Sequence, residues 1–248
     1  MAKAGTKGSA GAVPTEFLED LVASSRILAQ HGVLDAFGHV SVRHPADPNR
    51  YLLSRNLAPE LVTAGDIVEY DLDSEPVDPK APRGFLERYI HGEIYKSRPD
   101  VGSVIHTHSP SVVPFGVTQH AMRPIYHMSG FLGRGVPVYD IRKESGRMTD
   151  ILVREPEHGR DLARVLADKP MALMRGHGNV VVAQDVKVAT YRAVYTEMNA
   201  RLQLQAMLAG GPIEFLSPEE ALLTEATIEG QIHRPWGLWK SKVMGTTP

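Results

Sequence analysis

Residues 101–109 read VGSVIHTHS, and their β-branched side chains predict a β-strand that carries His106 and His108. Side chains alternate between the two faces of a strand, so residues two apart project from the same side and can share a metal ion. His177 lies in the segment RGHGN, where glycines let the backbone approach another group closely. Three histidines leave coordination positions open, which is typical of catalytic metal sites. Taken alone, the histidine pair is also compatible with two surface residues.

The preceding segment, residues 84–97 (GFLERYIHGEIYKS), predicts a helix. Glu87 and His91 are four residues apart and would share one face of that helix. A carboxylate beside a metal-bound oxygen can act as base, ligand or both in turn. The alternatives are a solvated Glu87 that pairs with a neighbouring cation, and a buried His91 bonded to a backbone carbonyl.

The rest of the chain supplies alternating strands and helices. We expect a first helix capped by Thr15 and stopped by Gly32, and a long helix over 186–208. The other expected strands lie near 38–43, 51–54, 66–71, 136–141 and 172–183, and a further helix lies near 157–168. These elements predict a single domain over 14–248, with a C-terminal extension from about residue 212 and a disordered tail over 1–13.

Composition excludes several classes of protein. The chain has 248 residues, 42% of them hydrophobic and 23% charged, which excludes a wholly disordered chain. The net charge of −2 favours neither nucleic acid nor an anionic membrane as a partner. The sequence has no cysteine, which excludes disulfides, thiolate metal sites and a cysteine nucleophile and fits a reducing compartment. Its apolar runs are short and its N-terminus lacks the apolar core of a signal peptide, so we expect a cytoplasmic protein.

The ordered combination of three motifs resembles the class II aldolase/adducin family over residues 17–208. The motifs are Glu87-x-x-x-His91, His106-Thr107-His108-Ser109-Pro110 and Gly176-His177-Gly178. The resemblance implies a three-layer α/β/α sandwich on a mostly antiparallel central sheet. It also implies a homotetramer with active sites near the subunit interfaces.

The same resemblance implies a ligand set and a catalytic group. One divalent metal ion per subunit would be held by His106, His108 and His177, and Glu87 would be the catalytic residue that can also ligate the metal. Zinc, manganese, iron and cobalt all suit histidine and carboxylate ligands, so the metal is open. We expect no organic cofactor.

Departures from the family pattern bear on the substrate. Sugar-phosphate aldolases of the family hold phosphate with a Gly-Asn-x-Ser loop, a threonine-containing turn and a Ser-Ser pair. The corresponding positions here are Gly38-His39-Val40-Ser41, Ser54-Arg55-Asn56 and Phe85-Leu86-Glu87. The loss of hydroxyl donors disfavours phosphate. His39 and Arg55 instead suit a planar carboxylate.

These positions, together with RPIYH at 123–127 and GFLG at 130–133, resemble the decarboxylase branch of the family. That branch acts on hydroxylated aromatic or pyridine dicarboxylates, such as dihydroxyphthalate. We therefore expect a metal-dependent, non-oxidative decarboxylase, a carboxy-lyase of aromatic catabolism. The alternatives are a class II aldolase, an aldehyde-lyase for a non-phosphorylated hydroxy-acid or keto-acid, and an adducin-like assembly module without chemistry.

If the protein is such a decarboxylase, we expect the following roles for individual residues. Glu87 would remove a hydroxyl proton and deliver it to the ring carbon, with His127 as the alternative proton donor. The expected substrate contacts are His39, Ser54, Arg55, Phe85, Arg123 and Tyr191. For Arg55 a surface salt bridge is an equal alternative. Trp236 and Trp239 would cap the pocket or contact another subunit.

Overall fold

The centre of the molecule is a seven-stranded sheet with strand order β3-β2-β1-β4-β7-β6-β5. The computed structural model describes residues 8–245. The strands are β1 (His39–Arg43), β2 (Arg50–Ser54), β3 (Ile67–Asp71), β4 (Ser103–Thr107), β5 (Val138–Tyr139), β6 (Met171–Met174) and β7 (Gly178–Ala183). Neighbouring strands are antiparallel except for β5 and β6, which are parallel. The expected mostly antiparallel sheet is confirmed.

Eight α-helices surround the sheet within the described residues. They are α1 (Thr15–Gln30), α2 (Tyr89–Ser97), α3 (Val113–Val117), α4 (Ile141–Ser145), α5 (Pro156–Leu166), α6 (Val186–Ala209), α7 (Pro218–Glu229) and α8 (His233–Met244). Among these, no helix combines the length and the apolar character that crossing a bilayer requires.

Alternation along the strands creates two apolar cores, one on each face of the sheet. Val40 and Ile105 point to the face covered by α1, α6 and α8. Val104 and Val180 point to the opposite face, which is covered by α2 and α5. Burying both faces is what stabilises a sheet of this kind. The result is the predicted three-layer α/β/α sandwich.

Two details of the predicted helices are wrong. Thr15 is the first residue of α1 rather than its cap, because the Pro14 carbonyl accepts the hydrogen bond from the Phe17 amide at 3.0 Å. The segment 84–97 is not one helix: a 3₁₀ turn spans Leu86–Arg88, and α2 begins at Tyr89. Glu87 has non-helical backbone angles (φ −91°, ψ 19°), so it does not share a helix face with His91.

Both ends of the described range, residues 8–245, contact the sandwich. Of the predicted disordered tail, residues 1–7 lie outside the described residues. The hydroxyl of Ser9 and the amide of Ala10 donate to the carboxylate of Glu69 on β3 at 2.7 and 3.0 Å. At the other end, Trp236 and Trp239 of α8 are buried in the core of this chain. Within the chain they therefore serve packing.

Candidate metal centre

Four side chains from distant parts of the sequence converge on one point. Glu87, His106, His108 and His177 each offer a ligand atom, and all four atoms lie within 4.8 Å of one another. The Oε2 atom of Glu87 is 3.5 Å from Nε2 of His106 and 3.5 Å from Nε2 of His177. The Nε2 atoms of His177 and His108 are 3.1 Å apart. The structure thus brings together the four predicted ligands.

Two backbone features place the histidines. His106 lies on β4, but the strand ends at Thr107, so His108 follows the strand and the prediction of both histidines inside it is wrong. His177 lies in the tight turn between β6 and β7. A Cβ atom at Gly178 would overlap the carbonyl oxygen of Thr107. This close approach requires glycine and sets His177 beside His108.

The far side of two imidazole rings is fixed by backbone carbonyls. Nδ1 of His106 lies 3.1 Å from the carbonyl oxygen of Asn179, and Nδ1 of His177 lies 3.0 Å from that of Ile151. Because a carbonyl only accepts, each Nδ1 carries the proton and each Nε2 presents its lone pair to the centre. Metal-binding histidines commonly have such a second bond.

One atom at the centre lacks a partner. Nε2 of His106 is buried and has no hydrogen bond to any of the described residues. Buried polar atoms nearly always have partners, so an isolated lone pair needs an explanation. Three imidazole nitrogens and one carboxylate oxygen are the donor set of a divalent metal ion. The residues fit one such ion, and they do not discriminate among zinc, manganese, iron and cobalt.

Glu87 enters the centre as a charged carboxylate. Its Oε1 atom accepts a hydrogen bond from the Val153 amide at 2.9 Å, which leaves Oε2 toward the histidines. Burial alone would raise the pKa of Glu87, but the electrostatic attraction of His106 and His177, whose Nε2 atoms lie 3.5 Å from Oε2, outweighs it and holds that pKa far below its usual range. An ionised carboxylate can act as ligand or as proton acceptor.

Two ligand histidines have pKa values that move in opposite directions. Burial would lower the pKa of His177, but the neighbouring carboxylate of Glu87 raises it above its ordinary value. Burial and the proximity of His106 lower the pKa of His108 to about 4, so this ring is neutral near pH 7.

Burial and the proximity of His106 also lower the pKa of His91 to about 3. The ring nitrogens of His91 each lie 2.6 Å from a side chain, those of His39 and Ser41. His91 is therefore not bonded to a backbone carbonyl, which the sequence left as an alternative.

Glu197 holds the turn that follows His108. Its buried carboxylate accepts hydrogen bonds from the Ser109 hydroxyl at 2.8 Å, the Ser111 amide at 3.1 Å and the Ser111 hydroxyl at 2.6 Å. Sequence reasoning did not assign this role. The one available signal was an acidic residue within the long helix α6, and it does not reveal a partner.

Aromatic rings flank the centre. The ring centroid of His39 is 5.2 Å from that of His106 and 4.5 Å from that of Phe85. Phe37, which the sequence did not single out, is 67% exposed, and its ring centroid lies 6.3 Å from that of His108. The two residues predicted to contact substrate, His39 and Phe85, therefore lie beside the centre, and Phe37 adds a second phenyl ring.

Ser54 and Arg55 lie at the end of β2. Ser54 is buried and pairs with Ile67 of β3. The Nε atom of Arg55 lies 2.6 Å from Oδ1 of Asp66. In this structure the contacts of the guanidinium are therefore those of the salt bridge that the sequence left as the alternative.

The other two predicted substrate contacts, Arg123 and Tyr191, and the alternative proton donor His127 lie apart from Glu87 within the chain. The Tyr191 hydroxyl donates to the carbonyl of Met128 at 2.7 Å, in the core on the opposite face of the sheet. The guanidinium of Arg123 stacks on Phe215 at 4.4 Å. His127 lines an open groove beside Tyr191 and α8. One chain does not bring these side chains to the metal centre.

Comparison with known proteins identifies the family. Residues 19–204 match the family described as Class II Aldolase and Adducin N-terminal domain. The decarboxylase tropJ of Talaromyces stipitatus is 38% identical over 244 residues, which cover 90% of this chain and 92% of that protein. A 3,4-dihydroxyphthalate decarboxylase of Arthrobacter keyseri is 30% identical over 213 residues, which cover 80% and 82% of the two chains. The crystal structure of an aldolase II superfamily protein from Pseudomonas syringae matches the fold with a TM-score of 0.76 at 23% identity, over 92% of each chain.

The chain belongs to the class II aldolase and adducin family. The predicted similarity to the decarboxylases of this family is confirmed, because two relatives that cover most of the chain are decarboxylases. The predicted enzyme class, a carbon–carbon lyase of the carboxy-lyase type, agrees with both of these relatives.

Proposed function

We propose that this protein is a metal-dependent, non-oxidative decarboxylase of a hydroxylated aromatic dicarboxylate. The observation that carries the proposal is the convergence of His106, His108, His177 and Glu87 within 4.8 Å. The similarity to 3,4-dihydroxyphthalate decarboxylases supports the reaction and the substrate class. A hydroxypyridine dicarboxylate has the same arrangement of acceptors and belongs to the same proposal.

Decarboxylation leaves an electron pair on the ring carbon, and that pair must be accommodated until a proton arrives. A divalent ion on the three histidines would supply a Lewis acid next to the reacting oxygens. Glu87 supplies the proton transfer: Oε2 accepts the proton of the ring hydroxyl and returns it to the carbon that loses CO₂. Because the Val153 amide holds Oε1 at 2.9 Å, the other oxygen stays directed at the centre.

The side chains around the centre suit an aromatic acid as the substrate. Phe85 beside His39 and Phe37 beside His108 provide apolar surface for a planar ring. His39 binds the second carboxylate of the substrate. Arg55 binds the same carboxylate once its guanidinium has left Asp66. Ser54 remains part of the proposed substrate site.

The proposal includes a homotetramer with active sites near the subunit interfaces. His127, Arg123 and Tyr191 lie away from Glu87 within one chain, so they serve the reaction only where a neighbouring subunit presents them. His127 borders an open groove on the surface, which is compatible with such a contact. We also propose aromatic catabolism in the cytoplasm as the setting.

A screen for CO₂ release tests the proposal. Purified protein is incubated with ortho-hydroxy aromatic dicarboxylates, 3,4-dihydroxyphthalate first, with and without a chelator. We expect CO₂ release that the chelator abolishes and added metal restores. Aldehyde formation from hydroxy-acids, without CO₂ release, would establish the aldolase alternative instead.

A further inference from the structure

Four buried polar side chains form a continuous hydrogen-bonded chain behind His39. The Tyr95 hydroxyl lies 2.8 Å from the Ser41 hydroxyl, Ser41 lies 2.6 Å from Nδ1 of His91, and Nε2 of His91 lies 2.6 Å from Nδ1 of His39. Each of the four residues is at most 5% exposed. We call Tyr95, Ser41, His91 and His39 the buried relay.

The buried relay joins two layers of the fold. His39 and Ser41 are two residues apart on β1 and point to the same face of the sheet. His91 and Tyr95 are four residues apart on α2, which covers that face. The geometry is therefore set by regular secondary structure and not by a flexible loop.

The protons of the buried relay can be ordered in two directions. In the first, Tyr95 donates to Ser41, Ser41 to Nδ1 of His91, and Nε2 of His91 to Nδ1 of His39. In the second, Nδ1 of His39 donates to His91, which donates to Ser41. These directions give opposite tautomers of His39, because a neutral imidazole carries one proton.

Only the first direction gives both hydroxyl protons a close acceptor. In the second, the Ser41 proton goes either to the Val104 carbonyl, at 3.5 Å, or to Tyr95. If Tyr95 accepts it, the Tyr95 proton has no further acceptor among the hydrogen bonds of residues 8–245. Leaving a buried hydroxyl proton unpaired is costly. The first direction gives every other proton of the relay a short hydrogen bond and leaves only Nε2–H of His39, which is not among the fully buried unpartnered atoms of residues 8–245, to face the centre.

We infer that the buried relay fixes His39 as the Nε2–H tautomer and so presents a hydrogen-bond donor beside the metal centre. Nε2 of His39 has no hydrogen bond within residues 8–245, and its ring lies against His106 and Phe85. A donor in that position binds an acceptor, namely a carboxylate or phenolate oxygen, and cannot take up a proton as a base. Tyr95, Ser41 and His91 are then positioning residues. The identity of the acceptor rests on the proposed function, whereas the tautomer does not.

Nuclear magnetic resonance of the full chain loaded with Zn²⁺ tests the tautomer. Long-range ¹H–¹⁵N correlations show which ring nitrogen carries the proton, and the spectrum of His39→Phe identifies the His39 signals. We expect protonation of His39 at Nε2 alone. Protonation at Nδ1 in the wild-type protein would overturn the inference.

A variant of the relay tests its cause. His91→Ala removes the group that donates to Nδ1 of His39 and leaves space in which water can pair that atom as donor or as acceptor, so we expect both tautomers of His39. His44→Ala is the control, because His44 is a buried histidine outside the relay whose Nδ1 accepts from the Ala46 amide. The control should keep the wild-type tautomer. An unchanged tautomer in His91→Ala would show that the relay does not set it and would overturn the inference; if this variant does not fold, the wild-type spectrum decides.

Phthalate, a dicarboxylate without hydroxyl groups, probes the donor. We expect phthalate to shift the Nε2 signal of His39 and to bind His39→Phe at least about tenfold more weakly. Binding that is independent of His39 would contradict the assigned role. If both results hold but no candidate substrate releases CO₂, the proposed reaction fails while the relay stands.

Discussion

Nδ1 of His106 lies 3.1 Å from the carbonyl oxygen of Asn179, on the adjacent strand of the sheet. This contact fixes the orientation of a fully buried ring and directs its unpartnered Nε2 atom at Glu87. The sheet thus aims the central histidine of the metal centre before any ligand binds.

Removal of His106 should abolish metal binding. We expect His106→Ala to retain only a small fraction of the one ion per chain expected in the wild-type protein, because the three histidine ligands become two and the buried Glu87 carboxylate loses a neighbour. Elemental analysis of the purified variant measures this. His44→Ala removes a buried histidine outside the centre and should keep the full metal content. Equal metal content in the two variants would place the ion elsewhere.

Glu87→Gln should separate metal binding from turnover. The three histidines remain, so we expect metal content near the wild-type value, while CO₂ release falls by about a hundredfold or more because the proton carrier is lost. Glu93→Gln is the matched control: Glu93 is a buried carboxylate on α2 that pairs with Lys96. The control should stay within about threefold of the wild-type rate. Unchanged turnover in Glu87→Gln would remove Glu87 from the reaction.

Glu197 should contribute to stability through the turn after His108. Glu197→Ala leaves two hydroxyls and one amide without their acceptor, so we expect a loss of about 2–4 kcal/mol in the free energy of unfolding. Urea titration followed by circular dichroism measures it. Arg201→Ala removes an exposed partner of the same carboxylate and should cost less than about 1 kcal/mol. Similar losses in the two variants would show that the buried hydrogen bonds contribute little.

Gly178→Ala should disturb the metal centre through the backbone. The new methyl group would overlap the Thr107 carbonyl, so His177 and β4 must move apart, and we expect weaker metal binding and lower stability. Gly237→Ala is the comparison, because Gly237 lies in α8 with open space around it. That change should stabilise the protein by about 0.5–1 kcal/mol. Metal affinity that is unaffected in Gly178→Ala would show that the turn has more room than the structure gives it.

Variants of Arg55 and Asp66 should show whether the Arg55 guanidinium binds the substrate or only forms the salt bridge with Asp66. If it binds a substrate carboxylate, Arg55→Ala raises KM about tenfold or more with little change in kcat, and Asp66→Asn does not raise KM, because it frees the guanidinium. Steady-state kinetics on the two variants give the answer. An unchanged KM in Arg55→Ala would assign the side chain to the salt bridge alone.

Apolar periodicity predicted most of the individual strands and helices, whereas the three-layer arrangement was predicted from the resemblance to the family. The sequence-based predictions were wrong where tertiary contacts determine the local backbone structure. The helix expected over 84–97 is broken at Glu87, whose carboxylate bonds to the amide of Val153, 66 residues away. Tertiary contacts of this kind outweigh the helix propensity of a local segment.

The metal ligands were recognisable as a motif, but the groups that orient them were not. The carbonyls of Asn179 and Ile151 and the Val153 amide are backbone atoms, which any residue type would supply. The salt bridge from Arg55 to Asp66 spans 11 residues without a periodic pattern. Only the folded chain shows these pairings.

The central claim is that one divalent ion on His106, His108, His177 and Glu87 is required for decarboxylation. The most direct measurement is a titration of chelator-treated protein with Zn²⁺, Mn²⁺, Fe²⁺ or Co²⁺ while CO₂ release from 3,4-dihydroxyphthalate is followed. We predict no release without metal and a linear gain that stops at one ion per chain for at least one of the four metals. Full CO₂ release by the metal-free protein would contradict the claim.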